Sequence, residues 1–215
     1  MSGRGQVAAR AEEIFTRAGA YRAGHFELKS GLHADRYVEK FAVLQWPAAV
    51  SELCRLMIER AAAQVDVTLG PTTGGVILAY ETARQLGVRG IFAEQVAGPD
   101  GVPRRALRRG FALARGERVL LVDDVVTTGA SLVEMLPLVE EVGAELVGVA
   151  VLVDRSGGLG EVVSPATGRR YAVDALWSLS LPTYQPGAPS CPGCAAGMRL
   201  DKPGATGAPV RAADS

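Results

Sequence analysis

The sequence predicts an α/β fold in which a central, mainly parallel sheet is flanked by helices. Two observations support this prediction. Strand patterns alternate with helix patterns between about residues 65 and 154, and the strands read as continuous Val, Leu and Ile runs. Strands buried on both faces have this appearance because helices cover the sheet on each side. Ligands of such sheets bind beyond the carboxyl ends of the strands, so the loops there are the first candidates for a site.

The elements follow from local patterns taken in chain order. An amphipathic pattern predicts the first helix, and a proline that suits a first helical turn opens the second. Helices are expected at 5–18, 47–63, 76–87 and 131–143. Strands are expected at 65–70, 88–94, 107–113, 117–125, 144–154 and 171–181, with β-prone pieces within 20–45. The polar, Gly- and Pro-containing stretch 95–106 is expected to be a loop.

Length and composition suit one compact domain over residues 1–200, with hood elements at about 15–45 and a core at about 60–155. The Pro-, Gly- and Ala-rich residues 201–215 are expected to form a disordered tail. Lys plus Arg and Asp plus Glu both number 23, so no net charge attracts nucleic acid or an anionic membrane. The N-terminus has no apolar signal core and no apolar run reaches about 18 residues, which predicts a cytoplasmic protein.

The three cysteines are too few for a disulfide framework. Cys191 and Cys194 have the spacing of half a zinc site, but a structural zinc site usually needs four ligands. The histidines, His25 and His33, lie more than 150 positions earlier. The sequence therefore favours a turn at Cys191-Pro-Gly-Cys194, with a zinc or redox role as the alternative.

The most informative segment is the apolar run from Val119 that ends in Asp123-Asp124 and continues as Val-Val-Thr-Thr-Gly-Ala-Ser131. Two adjacent carboxylates at the end of a buried strand repel each other and lose solvation, which is costly unless they have a use. The following hydroxyls, glycine and backbone N–H groups suit a phosphate. An acidic strand end with an ordinary helix cap is the alternative for the dipeptide alone.

This segment resembles the phosphoribosyl pyrophosphate (PRPP) signature of type I phosphoribosyltransferases. The resemblance implies that fold, with an N-terminal hood, and implies that Asp123 and Asp124 hold the ribose 2′- and 3′-hydroxyls. It also implies that the following loop wraps the 5′-phosphate. The residues expected to bind PRPP there, besides the two aspartates, are Val125, Val126, Thr127, Thr128, Gly129, Ala130 and Ser131.

A second glycine-containing loop, Gly70-Pro-Thr-Thr-Gly-Gly75, follows the strand at 65–70. Glycines there permit close approach of backbone to an anion. By the same resemblance this loop binds the pyrophosphate through Thr72, Thr73 and Gly74. Its position one βα unit before the acidic pair supports the assignment, although some members of the family have Lys where this chain has Thr73.

The base is suggested by the segment His25-Phe-Glu-Leu-Lys-Ser-Gly31, which is similar to an element of orotate phosphoribosyltransferases that covers the base. The resemblance implies orotate contacts by Phe26, Lys29, Thr127 and Arg155, with the guanidinium of Arg155 pairing with the orotate carboxylate. The C-terminal Pro182-x-Tyr184 and CPGC segments are similar to a bacterial subgroup of these enzymes. The acidic pair is Asp-Asp, whereas many orotate enzymes have Glu-Asp.

The family usually carries a mobile basic loop that closes over the neighbouring subunit's site. The matching stretch here has no Lys or His, and Arg104 and Arg105 are the catalytic candidates that would offset the charge of pyrophosphate. Arg108 and Arg109 are further candidates, or else belong to the next strand. Loop 95–106 is expected to act as a lid that excludes water.

The function expected from this resemblance is transfer of the phosphoribosyl group of PRPP to orotate. It implies Mg²⁺ carried mainly by PRPP, with no protein ligand assigned, and a homodimer. Two alternatives remain open: a phosphoribosyltransferase for another base such as a purine, and a non-catalytic PRPP-binding regulator. The chain has no helix-turn-helix extension or basic face, which argues against the regulator.

Overall fold

The computed structural model describes residues 3–28, 30–60, 64–98 and 101–203. Its strands are β1 (Tyr21–Glu27), β2 (His33–Val38), β3 (Val67–Pro71), β4 (Arg89–Ala97), β5 (Pro103–Leu107), β6 (Arg118–Val126), β7 (Glu145–Asp154), β8 (Glu161–Val163), β9 (Arg170–Ser178) and β10 (Thr183–Tyr184). Its helices are α1 (Gly3–Arg17), α2 (Lys40–Leu44), α3 (Pro47–Arg60), α4 (Gly74–Leu86), α5 (Ala130–Val133), α6 (Leu136–Glu140) and α7 (Pro192–Ala195).

A seven-stranded sheet forms the centre of the molecule, in the order β5-β4-β3-β6-β7-β9-β8. The five inner strands run parallel to one another, and the edge strands β5 and β8 pair antiparallel to β4 and β9. The predicted α/β class with a mainly parallel sheet is therefore confirmed. Because β3, β6 and β7 run in one direction, the loops after them meet at one edge of the sheet.

The middle strand β6 is buried on both faces. Leu120 and Val122 pack with α1, α3 and α4, whereas Val119 and Leu121 pack with α5 and α6 on the other side. Each of the four side chains is at most 1% exposed, and burying such a side chain contributes roughly 1.5–3 kcal/mol. No helix among the described residues is both long and apolar enough to cross a membrane.

The helix expected at 131–143 is two short helices instead. Pro137 lies at the start of α6 and has no N–H to donate to the preceding turn, so a continuous helix cannot form. The chain turns between Val133 and Leu136, where the Met135 N–H donates to the Leu132 carbonyl at 3.0 Å. The prediction of one helix was wrong for this local reason.

The stretch expected to be a loop at 95–106 largely belongs to a β-hairpin. Strand β4 extends to Ala97 and β5 begins at Pro103, with Arg105 opposite Gln95. The strand expected at 107–113 is wrong, since Arg108 and Arg109 lie in a turn after β5. Arg109 has a φ of 56° and its Nε contacts a carboxylate oxygen of Glu94 at 2.5 Å.

A second, three-stranded sheet in the order β1-β2-β10 forms the hood. It joins the predicted β-prone segment near the N-terminus to a strand from the C-terminal part of the chain. Asp201 pairs with Phe26 beside β1, with its N–H donating to the His25 carbonyl at 2.8 Å. Residues 201–203 therefore belong to the folded structure, in contrast to the expected tail boundary; residues 204–215 lie outside the described residues.

Candidate active site

The acidic pair lies where the sequence places it, at the carboxyl end of β6. Asp123 is 5% exposed and Asp124 is 2% exposed. Asp123 accepts hydrogen bonds from the Asp124 N–H at 2.8 Å and from the Ser131 hydroxyl at 2.9 Å. Burial, reinforced by the charge of Asp124, raises the pKa of Asp123 to about 6. Keeping both carboxylates ionised therefore costs free energy, which the hydrogen bonds only partly offset.

Lys40, at the start of α2, supplies a positive charge to this pair. Its Nζ lies 2.8 Å from one carboxylate oxygen of Asp124 and 3.0 Å from the other. The Asp124 side chain is 3% exposed, so the ion pair is largely shielded from solvent on that side. Sequence reasoning missed Lys40, because no motif marks it and it is 84 positions away from its partner.

The loop after the acidic pair is exposed at its centre. Thr127 and Thr128 are exposed, and Ser131 is half-buried against Asp123. Gly129 has a φ of 80°, a conformation that favours glycine, and an added Cβ would come within 2.9 Å of Leu159. The loop thus turns tightly around two accessible hydroxyls. Val125 and Val126 end β6 before this turn, and Ala130 begins α5 after it.

The second glycine loop contacts the acidic pair directly. A Cβ added to Gly74 would lie 1.7 Å from a carboxylate oxygen of Asp124, and one added to Gly70 would lie 2.1 Å from the Gly75 carbonyl oxygen. Only glycine allows this packing. Thr72 and Thr73, joined by a cis peptide bond, directly precede Gly74 in this loop.

Arg105 reaches this second loop from β5. One guanidinium nitrogen lies 3.3 Å from the Thr72 carbonyl oxygen and 3.2 Å from its hydroxyl, and Nε lies 3.1 Å from Glu134. Arg104 is the next residue of the strand and is exposed. Adjacent strand residues point to opposite faces, so Arg104 and Arg105 project from opposite sides of β5.

Arg155 follows β7 and lies next to the loop after the acidic pair, because its N–H donates to the Val126 carbonyl at 2.8 Å. Its Nε is buried and has no hydrogen-bond partner among the described residues. Burial lowers the pKa of Arg155. Burial raises the pKa of Tyr37, and the positive charge of Arg155 partly offsets that increase. A half-buried guanidinium with an unpaired N–H is suited to a planar anion.

Of the other hood residues expected to contact the base, the structure describes Phe26 but not Lys29. Phe26 is 1% exposed and packs against Tyr37, with ring centroids 5.6 Å apart. Its ring thus supports Tyr37 in the hood. Lys29 lies outside the described residues.

The chain is similar to known proteins over most of its length. The family model for the phosphoribosyl transferase domain matches residues 42–174. An orotate phosphoribosyltransferase of Desulforamulus reducens is 43% identical over 193 residues, covering 89% of this chain and 94% of that protein. One from Caldicellulosiruptor saccharolyticus is 42% identical with the same coverage. The chain belongs to the orotate phosphoribosyltransferase family.

A solved structure of this family is also similar. The orotate phosphoribosyltransferase of Mycobacterium tuberculosis H37Rv is 27% identical, covers 79% of this chain and 96% of that chain, and has a TM-score of 0.60. The predicted phosphoribosyltransferase fold is thereby confirmed. The family model includes both glycine loops, the acidic pair and Arg155, but it begins after the hood strands β1 and β2.

Proposed function

We propose that this chain transfers the phosphoribosyl group of PRPP to orotate, which gives orotidine 5′-monophosphate and pyrophosphate. The observation that carries the proposal is the arrangement of three sites at one edge of the sheet. These are the buried acidic pair, the exposed hydroxyl loop after it, and the unpaired guanidinium N–H of Arg155. Together they match a ribose diol, a 5′-phosphate and a carboxylated base.

Asp123 and Asp124 bind the ribose hydroxyls as charged acceptors. Lys40 holds Asp124 in place, and Ser131 holds Asp123. The hydroxyls of the loop residues Thr127 and Thr128 then donate to the 5′-phosphate. Fixing the sugar at both ends orients its anomeric carbon toward the base, and orientation of this kind contributes much of the rate in a reaction that needs no protein nucleophile.

The reaction is a displacement at the anomeric carbon. A ring nitrogen of orotate forms the new bond to that carbon while the bond to the pyrophosphate oxygen breaks, and pyrophosphate leaves with the electron pair. Positive charge develops on the ribose ring in the transition state, close to the carboxylates of the acidic pair. The second glycine loop and Arg105 receive the departing pyrophosphate.

Mg²⁺ fits this site as an ion carried by the substrate. Asp124 pairs with Lys40, Asp123 accepts from Ser131, and their remaining acceptor positions bind the ribose hydroxyls, so neither carboxylate is assigned to the metal. When it is bound, Mg²⁺ offsets the charge of the leaving pyrophosphate. The hairpin of β4 and β5 is the lid in this proposal, and a homodimer is its oligomeric state.

Arg155 selects the base. Its guanidinium pairs with the orotate carboxylate, a group that uracil, adenine and hypoxanthine lack. A hydrogen bond to a charged group contributes roughly 1.5–3 kcal/mol, so an Arg155→Lys variant is expected to raise the KM for orotate by about 10-fold or more. Its affinity for PRPP is expected to stay unchanged.

The test is a set of assays with PRPP, Mg²⁺ and one base at a time. Loss of orotate absorbance, with no turnover of uracil, adenine or hypoxanthine, supports the proposal. An Arg17→Lys variant is the matched control, since Arg17 is 74% exposed on α1. Turnover of a purine without turnover of orotate would refute the assignment of the base. PRPP binding without turnover of any base would favour a regulator.

A further inference from the structure

Four potential metal ligands meet in the hood, away from the acidic pair. His25 comes from β1, His33 from β2, and Cys191 and Cys194 from the start of α7. One ligand atom from each residue lies within 4.8 Å of all the others. His25, His33 and Cys191 are 4%, 6% and 1% exposed. The sequence favours a simple turn at the two cysteines because the histidines are distant, but the fold brings all four residues together.

The distances between these atoms are close to those around a tetrahedral ion. The Cys191 Sγ lies 3.4 Å from His25 Nε2, and the Cys194 Sγ lies 3.6 Å from His25 Nε2 and 3.3 Å from His33 Nδ1. Zinc bonds of about 2.3 Å to sulfur and about 2.0 Å to nitrogen place such atoms roughly 3.5 Å apart. His25 Nε2 and His33 Nδ1 are 2.8 Å apart, so a small ring rotation would open that one edge.

The surrounding groups prepare these atoms to bind a metal. The His25 Nδ1 lies 3.0 Å from the Met198 carbonyl oxygen, to which it can only donate, so its Nε2 is left unprotonated when the ring is neutral. The Gly187 N–H donates to the Cys194 sulfur at 3.4 Å, which helps to fix the position of that sulfur. A Cβ on Gly193 would lie 2.5 Å from the His25 ring, so glycine lets the turn between the cysteines approach the imidazole.

The chemistry of the set identifies the ion. Two thiolates and two imidazoles in a closed tetrahedral arrangement are typical of structural zinc. Each thiol loses one proton on binding, so two negative sulfurs balance the charge of Zn²⁺ and the buried site is neutral. No oxidant or reductant is involved, and both cysteines are free thiols in the structure.

We propose that His25, His33, Cys191 and Cys194 bind one Zn²⁺ that joins the hood sheet to the C-terminal segment. The site has four protein ligands and no position for substrate, so its role is structural. It connects His25 to Cys191 across 166 positions and His33 to Cys194 across 161, and His33 lies on the strand that also carries Tyr37. The ion therefore holds β1 and β2 against the C-terminal segment.

The test begins with the metal content of the full-length protein, purified without a metal-affinity tag. Mass spectrometry of the metals is expected to find about one zinc per chain. Cys191→Ser and Cys194→Ser variants are expected to lose it, whereas Cys54→Ala, which removes a thiol elsewhere in the core, is expected to keep it. Substitution by Co²⁺ is expected to give the intense visible absorption of a tetrahedral thiolate complex.

A second set of measurements uses the wild-type protein, so that the test does not depend on whether the serine variants fold. In the wild-type protein, a mercurial reagent is expected to release one zinc for each two thiols modified, and a chelator is expected to lower the Tm until zinc is restored. Wild-type protein without stoichiometric zinc, even after refolding with zinc chloride, would overturn the proposal. So would a Cys191–Cys194 disulfide in protein purified with reductant, or zinc that remains in both serine variants.

Discussion

Replacing Asp123 with asparagine is expected to stabilise the free protein while it weakens binding of PRPP. The buried carboxylate of Asp123 lies beside that of Asp124, and its pKa is raised to about 6 from an ordinary 3.8. Asparagine has the same shape and no charge. Its carbonyl oxygen can accept from the Asp124 N–H, and its amide can donate to the Ser131 hydroxyl, so both hydrogen bonds are retained.

The magnitude follows from the pKa of the folded state. Between pH 3.8 and about 6 the folded protein holds this proton more tightly than the unfolded chain, so wild-type stability falls as the pH rises through that window. The full cost, roughly 3 kcal/mol, is present above pH 6. Allowing for relaxation around the pair, Asp123→Asn is expected to gain about 1–3 kcal/mol at pH 8 and almost nothing at pH 4.

The assay is thermal and urea unfolding of both proteins at pH 4, 6 and 8, with PRPP binding measured by calorimetry. For a chain of this length the Tm at pH 8 is expected to rise by about 3–10 °C. PRPP binding is expected to weaken by roughly 10- to 100-fold, because a charged hydrogen bond to a ribose hydroxyl is lost. The control is Asp124→Asn, which breaks the ion pair with Lys40 and is expected to gain no stability. An Asp123→Asn variant that is less stable at pH 8, or equally affected at all three pH values, would refute the reasoning.

Three further outcomes are expected. Gly74→Ala forces a Cβ to within 1.7 Å of an Asp124 oxygen and is expected to lower kcat/KM by about 10-fold or more in steady-state kinetics; unchanged kinetics would contradict the close packing of the two loops. Arg105→Gln removes the guanidinium beside Thr72 and is expected to raise the KM for PRPP and pyrophosphate but not for orotate, whereas an effect on orotate alone would exclude a role at the second loop. Burial raises the pKa of Cys54 to about 12, so its thiol is expected to react with a disulfide reagent at pH 8 only after unfolding, and rapid labelling of the native protein would show that this part of the core opens.

The central strands and the acidic pair were predictable because their signals are local. The strand β6 is a continuous apolar run, and the acidic pair, the hydroxyls and the glycine that follow it occupy consecutive positions. Local signals also explain why one helix was expected at 131–143. The hydrophobic pattern continues through this segment, whereas Pro137, at the start of α6, marks the break from α5. The β4–β5 hairpin was missed because the arginines and proline of β5 give no strand pattern at an exposed edge.

The amino-acid sequence by itself determined the fold class, the family and the positions of the two glycine-containing loops, since each is encoded in contiguous residues. Only the tertiary structure decided which distant side chains complete them. Lys40 reaches Asp124 across 84 positions, and His25 meets Cys191 across 166. Such pairs leave no spacing signal in the chain, because they are brought together by how the hood and the sheet pack and not by the period of a helix or strand.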